Sequence, residues 1–348
     1  MSAPEIRLDQ LTGLRTILAP GRAARPDVFS RGPREAGGGG DCPFCEGHEE
    51  RTPAEVWAHR PSVGEANAPG WTARAVPNLY PAFAPQDDAS PVASRQSPGP
   101  ADPLAASRRS GEADLFGSKP ALGAHEVIVN APEHEVAMCD LDEERFVGAI
   151  AAWRERIRAH RSASYVQLIV NEGGGAGASL EHTHAQLYAL PFVPTAVARE
   201  RERFHAYRER TGGGDLLGDI LAEEVRRRER LVVIDDEAAL ICPWASRSPF
   251  ELRVVPRAAS ADFGADESGA AMIRTALLLL ARRFGGPPEL NLWVRTAPRG
   301  ADAFRWHVDI APRLTVKAGF ELATGVDIDV YPPEQAAADL RETLEAPG

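Results

Sequence analysis

The alternation of hydrophobic and polar residues predicts a strand–helix–strand–strand unit in the first half of the chain. HEVIVNAP (125–132) predicts a strand. DLDEERFVGAIAAWRERIRAHR (140–161) carries apolar residues at helical spacing, with Asp140 near its N-cap. YVQLIVN (165–171) and HTHAQLYALP (182–191) predict the next two strands.

The same order recurs in weaker form in the second half of the chain. A strand is predicted at 250–260, a helix at 266–284, and two strands at 290–296 and 304–312. Internal duplication is the simplest account, and in that register His307 takes the place of His184. Hairpin-linked strands with helices on one face predict an α+β architecture with antiparallel sheets. We therefore divide the chain into two halves, 1–195 and 196–348.

The remaining segments are predicted to be loops and connectors. Residues 31–41 form a glycine-rich lead-in, and 84–121 form a long surface loop rich in Pro, Ala and Ser. WTARAVPNLYPAF (71–83) predicts a strand followed by a proline-bounded turn. In 197–230, arginines mix with glutamates at helical spacing, which favours a solvated helical connector over a binding patch.

Composition narrows the class of protein. The chain has 348 residues, 43% of them hydrophobic and 26% charged, as in an ordinary globular protein. A net charge of −11 argues against non-specific nucleic-acid binding. The N-terminus has no apolar signal core and no stretch approaches the length of a membrane span, so we expect a cytoplasmic protein that does not bind membranes. Disulfides are therefore not expected among the four cysteines, and the C-x-x-C of Cys42 and Cys45 indicates metal or redox chemistry.

The segment around His182-Thr183-His184-Ala185-Gln186 carries the clearest chemical signal. In a strand, His182, His184 and Gln186 would project to one side. The GGGAGAS stretch upstream (173–179) offers flexible steps whose backbone N–H groups can cradle a phosphate. This combination predicts a nucleotidyl-transfer site, and the alternative is a glycine-rich hairpin with two surface histidines.

This pattern resembles the galactose-1-phosphate uridylyltransferase family, a nucleotide-transferring branch of the histidine-triad superfamily. That family carries an N-x-G loop, a serine three residues before the first histidine, and H-P-H-G-Q. Asn171 and Ser179 match the loop and the serine, while Thr183 and Ala185 replace the usual proline and glycine. These departures suggest a divergent branch similar to the ADP-glucose phosphorylases. The resemblance implies a duplicated histidine-triad-like fold.

The resemblance also implies the roles of the reactive residues. His184 would be the nucleophile that forms a nucleotidyl-histidine, and Gln186 would hydrogen-bond the phosphoryl oxygens. Gln186 stands where hydrolases of the superfamily carry a third histidine, which favours transfer over hydrolysis. The implied substrate contacts are Arg22, Arg25, Asn78, Tyr80, Asn171, Ser179, Phe320 and Glu321.

The cysteine pair implies a metal site. Two thiolates at C-x-x-C spacing can bind tetrahedral zinc but need two further ligands. The resemblance supplies His134 and His182, giving a closed structural Zn site with Cys42 and Cys45. Replacement of His134 by His48 is the competing assignment, and a vacant site is another, since some relatives lose ligands here. A thioredoxin-like redox motif would need a helix at the first cysteine, which the flanking glycines oppose. No second metal is predicted near His307, which we interpret as a structural histidine.

Taken together, the resemblance implies a nucleotidyltransferase that moves a nucleoside monophosphate, UMP, between UDP-glucose and a hexose 1-phosphate such as galactose 1-phosphate. The alternatives are an ADP-glucose phosphorylase and a non-catalytic, zinc-stabilised nucleotide-binding protein. The predicted partners are nucleotide-sugar and sugar 1-phosphate substrates. The resemblance also implies a homodimer in which Phe320 and Glu321 reach the sugar bound to the other subunit.

Overall fold

The fold is taken from a computed structural model that describes residues 4–24, 41–84 and 121–346. The predicted lead-in at 31–40, the predicted loop at 85–120 and the candidate phosphate contact Arg25 lie outside the described residues. No helix in the described ranges is long and apolar enough to cross a membrane.

A ten-stranded antiparallel sheet forms the centre of the molecule. Its strands, in chain order, are β3 (Trp57–His59), β4 (Ala73–Pro77), β5 (Ala124–Val129), β6 (Tyr165–Glu172), β7 (His184–Leu190), β8 (Leu231–Ile234), β9 (Ala238–Ile241), β10 (Leu252–Pro256), β11 (Leu290–Arg295) and β12 (His307–Pro312). A separate three-stranded sheet contains β1 (Glu5–Leu8), β2 (Arg15–Leu18) and β13 (Asp327–Asp329).

The helices of the described residues lie between and after these strands. They are α1 (Glu143–Ala159), α2 (Thr195–Thr211), α3 (Leu216–Arg227), α4 (Ala270–Phe284), α5 (Gly319–Thr324) and α6 (Pro333–Glu345). The N-cap of α1 is Asp142, whose carboxylate accepts from the Arg145 backbone N–H at 2.8 Å. Asp140, which the sequence placed at this cap, lies in a short 3-10 turn just before the helix.

The strand order confirms the predicted duplication. Across the sheet the order is β3-β4-β5-β7-β6 followed by β11-β12-β10-β9-β8. Counting outward from the β6–β11 junction, each strand of the first half has a counterpart at the same position in the second half. The units β5-α1-β6-β7 and β10-α4-β11-β12 are thus two copies of one arrangement. The exact boundary between the halves stays a prediction.

One hydrophobic core runs under both copies. Trp153 of α1 and Leu280 of α4 belong to the same buried cluster as Leu187 and Val254 of the sheet. Because side chains alternate along a strand, the neighbouring strand residues face the opposite side of the sheet.

The two copies differ in what covers that opposite side. In the second copy, Phe204 of α2 and Leu217 of α3 pack on Val255 of β10 and seal the surface. The predicted connector is therefore helical, but one face of it is buried rather than solvated. In the first copy, Val127 and Val129 pack with Phe44 of the cysteine turn. A cavity remains open beside this smaller cluster.

Candidate active site and metal centre

The H-x-H-x-Q motif lies at the start of β7, on the side of the sheet away from α1. His184 pairs with Val129 of β5, and Gln186 pairs with Val127. Strand alternation places His184 and Gln186 on one face, as predicted. His182 precedes the strand, and its ring turns toward the cysteine pair instead.

The position of the His184 proton follows from its backbone contact. Nδ1 of His184 lies 2.7 Å from the carbonyl oxygen of His182. A carbonyl oxygen only accepts, so Nδ1 donates and Nε2 keeps its lone pair. Burial lowers the pKa of His184, which favours the neutral ring. The side chain is therefore held as a neutral imidazole with a nucleophilic Nε2.

A cavity of about 360 Å³ opens beside His184. Five residues predicted from the sequence line it: His184, Gln186, Ser179, Asn78 and Tyr80. Its other walls are mainly apolar, and the remaining lining residues are Pro43, Phe44, Arg51, Thr52, Pro53, Val76, Pro77, Leu79, Val127 and Leu180. An apolar cleft with a few convergent polar groups is typical of a small-molecule site.

The glycine-rich loop contributes less of a phosphate cradle than its composition suggests. Gly173 and Gly177 have φ of 88° and 89°, which only glycine adopts readily. The Gly175 N–H donates to the Glu289 carboxylate at 2.7 Å, so that amide is already engaged. The end of the loop that reaches the cavity is Ser179 with Leu180.

Four candidate metal ligands converge next to His184. Ligand atoms of Cys42, Cys45, His134 and His182 all lie within 4.8 Å of one another. His182 Nδ1 is 3.5 Å from Cys42 Sγ and 3.7 Å from Cys45 Sγ, and His134 Nδ1 is 3.4 Å from Cys45 Sγ. Tetrahedral zinc with bonds of about 2.3 Å to sulfur and about 2.0 Å to nitrogen requires S–N separations of about 3.5 Å. The cluster fits this geometry.

The hydrogen bonds of the histidines support the same ligand set. His182 Nε2 lies 2.9 Å from the Ala131 carbonyl oxygen, so it donates there and leaves the Nδ1 lone pair for a metal. Burial lowers the pKa of His182 to about 4, which keeps the ring neutral. His48 Nδ1 instead donates to the Cys42 carbonyl at 2.6 Å, and His48 lies outside the cluster.

The cysteine turn also contacts the nucleophile through a residue that the sequence did not single out. The Phe44 ring lies 5.2 Å from the His184 ring and 6.1 Å from the His182 ring, measured between centroids. In the sequence, only the position of Phe44 between the two cysteines of C-P-F-C could have indicated this contact. A metal bound by the turn would therefore fix one wall of the cavity.

A buried hydrogen-bonded chain holds the residue between the two histidines. Asn130 Nδ2 donates to Thr183 Oγ1 at 3.1 Å, and Trp153 Nε1 donates to Asn130 Oδ1 at 2.8 Å. All three side chains are almost fully buried. Thr183 thus locks the His182–His184 segment to β5 and α1, which sequence spacing alone could not indicate.

Several predicted substrate contacts lie away from the cavity. Arg22 is in a short 3-10 helix at Pro20–Ala24, and Asn171 accepts through Oδ1 from Asn291 Nδ2 at 2.8 Å across the β6–β11 junction. Phe320 and Glu321 lie on α5, where Phe320 is exposed and Glu321 accepts from the Ala318 N–H at 3.0 Å. None of these four lines the cavity within the subunit.

His307 repeats the geometry of His184 in the second copy. Its Nδ1 lies 3.2 Å from the carbonyl oxygen of Arg305, again two residues earlier. The side chain is fully buried, with Phe304 stacked 6.4 Å from its ring. Asp309, in place of Gln186, accepts from Arg253 at 2.6 Å.

Comparison with known proteins places the chain in a family. A family model described as galactose-1-phosphate uridyl transferase, N-terminal domain, matches residues 73–194. Galactose-1-phosphate uridylyltransferase of Streptomyces lividans is 30% identical over 64% of this chain and 70% of its own length. The chain belongs to the galactose-1-phosphate uridylyltransferase family.

Two further relatives match the chain almost from end to end. ADP-glucose phosphorylase of Arabidopsis thaliana is 29% identical over 98% of this chain and 93% of its own. The crystal structure of an Arabidopsis thaliana ADP-glucose phosphorylase with bound ADP-glucose superposes with a TM-score of 0.76, at 26% identity, covering 98% of this chain and 99% of that one. The predicted family, fold and enzyme class are thereby confirmed.

Proposed function

We propose that this protein transfers a nucleoside monophosphate, UMP in the first assignment, between UDP-glucose and a hexose 1-phosphate such as galactose 1-phosphate. The observation that carries the proposal is the His184 imidazole, whose Nδ1 donates to the His182 carbonyl at 2.7 Å. That bond leaves Nε2 as the nucleophile at the edge of a cavity sized for a small molecule.

The reaction balances without a general acid. The Nε2 lone pair of His184 attacks the α-phosphorus, and the bond from that phosphorus to the bridging oxygen breaks. The electron pair leaves with the sugar 1-phosphate, whose second pKa of about 6 lets it depart as the ionised form. In the second half-reaction, an oxygen of the acceptor phosphate attacks the phosphorus, the P–N bond breaks, and its electron pair returns to Nε2.

Two contacts of the site stabilise charge along this route. The ring of His184 becomes positively charged while it carries the nucleotide, and the His182 carbonyl accepts from its Nδ1–H throughout. Gln186 can donate to the phosphoryl oxygens but cannot protonate a leaving group. This chemistry favours transfer between phosphates over hydrolysis.

Phosphorolysis of ADP-glucose is the second candidate function. It uses the same attack by His184, with inorganic phosphate as the acceptor. The observation that favours it is the nearly end-to-end similarity to an ADP-glucose phosphorylase. The walls of the cavity are mainly apolar and do not discriminate between the two bases.

One experiment tests the chemistry and separates the two candidates. The protein is incubated with UDP-glucose or ADP-glucose alone, and the covalent nucleotidyl adduct is detected by intact mass. Addition of galactose 1-phosphate or inorganic phosphate then identifies the acceptor that discharges it. Absence of any adduct on the intact protein, matching a His184→Gly control, contradicts the proposal.

We further propose that Cys42, Cys45, His134 and His182 bind a structural zinc ion. Four protein ligands at tetrahedral separations leave no open coordination position, so the ion would supply rigidity and no Lewis acid. It would fix the turn that carries Phe44 against the His184 ring. Metal analysis of the purified protein, with a Cys42→Ser control, tests the ligand set.

A homodimer is the third part of the proposal. Val316, Phe320 and Leu322 are exposed apolar residues on and beside α5. Phe320 and Glu321 lie off the cavity of their own subunit, so their predicted sugar contacts require a partner. Mixing inactive His184→Gly and Glu321→Ala subunits should restore activity, because one site of each heterodimer is intact. Confirmed subunit exchange without restored activity contradicts the shared site.

The resemblance to the family supports the remaining proposed assignments. Arg22, Arg25 and Asn171 are proposed phosphate contacts, Asn78 and Tyr80 contact the nucleoside, and Ser179 holds the α-phosphate. Residues 1–195 and 196–348 are proposed as the two halves of the duplication. The four free cysteines support a cytoplasmic location.

A further inference from the structure

His125 lies buried on β5, behind the wall of the cavity that contains Gln186. It is absent from the described lining residues. Its ring stacks on Tyr188 at 4.1 Å between centroids and 24° between planes. It lies outside the four-ligand cluster.

The position of the His125 proton follows from a backbone contact. The Ala82 N–H donates to His125 Nδ1 at 3.2 Å. A backbone N–H only donates, so Nδ1 carries the lone pair and Nε2 carries the proton. That Nε2–H lies 3.1 Å from Gln186 Oε1. The Asn78 amide nitrogen also lies 3.1 Å from Nε2, but both nitrogens are donors in this tautomer, so they form no hydrogen bond with each other, and Asn78 Oδ1 accepts from the Tyr80 N–H.

This proton fixes the orientation of the Gln186 amide. Gln186 Oε1 accepts from His125 and also from the Tyr188 hydroxyl at 2.9 Å. With its oxygen held by two donors, the amide presents its NH₂ group to the cavity. A rotation of the amide by 180° would aim the oxygen at phosphoryl oxygens and leave both donors without an acceptor.

The other nitrogen of His125 holds a second wall of the cavity. Its bond to Ala82 restrains the segment 78–84, which includes the lining residues Asn78 and Tyr80. His125 therefore contacts the proposed phosphate contact Gln186 through Nε2, and through Nδ1 it contacts Ala82, in the segment that also carries the proposed nucleoside contacts.

We propose that His125 is a positioning residue for nucleotidyl transfer. Its Nε2–H orients Gln186 toward the phosphoryl group, and its Nδ1 orders the nucleoside segment. The inference rests on the proposed function and adds a residue that contacts neither substrate nor metal.

Three substitutions separate the two contacts. In His125→Gln the side-chain nitrogen falls near the place of Nε2 and keeps the donor to Gln186. In His125→Asn the side-chain oxygen falls near the place of Nδ1 and keeps the acceptor for Ala82. His125→Phe loses both bonds while retaining the stack on Tyr188.

The experiment measures the single-turnover rate of adduct formation and the dissociation constant for whichever nucleotide sugar labels the intact protein. The rate should fall about ten- to a hundredfold in His125→Phe and His125→Asn, and recover in His125→Gln, since only the bond from Nε2 keeps the Gln186 NH₂ aimed at the charged phosphoryl group. The dissociation constant should rise about two- to tenfold in His125→Phe and His125→Gln, and recover in His125→Asn.

A purely structural role predicts a different pattern. All three variants would then change rate, affinity and thermal midpoint together, and that outcome overturns the proposal. In a Gln186→Leu background, His125→Phe and His125→Gln should give equal rates. Unequal rates there also overturn it. Lack of adduct on the unsubstituted protein overturns the proposed function itself and this role with it, whereas normal labelling of His125→Phe overturns only this role.

Discussion

Thr183→Val should weaken both the fold and the transfer reaction, although the two side chains have nearly the same shape. Thr183 is 2% exposed, and its hydroxyl oxygen accepts a hydrogen bond from Asn130 Nδ2 at 3.1 Å. Valine removes that acceptor and leaves a buried N–H unsatisfied, which costs about 1–3 kcal/mol. The backbone bonds of Thr183 to Glu135 and Asn130 are unaffected, so the perturbation is confined to one hydroxyl.

The expected change in thermal midpoint can be worked out from chain length. An unfolding entropy of about 2.1 cal/mol/K per residue gives about 0.7 kcal/mol/K for the whole chain, so a loss of about 2 kcal/mol lowers the midpoint by about 3 °C. We expect the rate of adduct formation to fall as well, because Thr183 lies between the metal ligand and the nucleophile.

Thr183→Ser is the matched control for this substitution. Serine keeps the hydroxyl and deletes one methyl group, at a cost of about 0.5–1.5 kcal/mol. Calorimetry and single-turnover labelling of both variants check the prediction. If valine is tolerated better than serine in either assay, the Asn130 hydrogen bond does not position the motif and the reasoning is wrong.

Three further outcomes follow from the site and the core. His184→Gly should abolish labelling while circular dichroism stays unchanged, since His184 is not in the ligand cluster. His182→Ala should lose bound zinc and thermal stability together, as measured by metal analysis and calorimetry; equal zinc content would remove His182 from the ligand set. Burial alone would raise the pKa of Glu126, but hydrogen bonds from His160 and Arg156 outweigh it and the pKa is lowered. That stabilisation is present above the unfolded pKa of about 4.3 and is lost as pH falls through the lower folded value. In denaturant titrations, Glu126→Gln should therefore be destabilised near neutral pH, and the gap should narrow in acid.

Periodicity predicted the first copy well because its helix and the strand that follows each bury one face and leave the other partly exposed. The helix expected at 140–161 is found at Glu143–Ala159, and the strand expected at 165–171 at Tyr165–Glu172. The cap was misplaced by two residues because Asp140 and Asp142 carry the same side chain. Only the backbone shows which of them precedes the first helical turn.

Motif spacing pointed to His184 as the proposed nucleophile and to the four residues that the structure brings together as a possible metal site, but it could not predict the contacts that support them. The contact between Asn130 and Thr183 joins residues 53 positions apart, and no local pattern marks it. Likewise, the Gly175 N–H of the glycine-rich loop donates to Glu289, which lies 114 positions further along the chain. Composition alone suggested that the amides of this loop were free. Such contacts depend on tertiary packing of strands that are distant in sequence.

The helices that cover the second copy leave the two halves of the duplication under different constraints. A substitution around His184 would change the rate of the proposed reaction. A substitution around His307 would change the packing of a buried interior. Replacing His307 with an apolar residue of similar volume would remove a buried ring nitrogen, Nε2, that has no hydrogen-bond partner among the described residues, and with it the cost of burying that nitrogen. The same change at position 184 would remove the only nucleophile proposed for the subunit. The two duplicated segments can therefore accumulate substitutions at different rates, because the first is constrained by the proposed reaction and the second by the volume of a buried side chain.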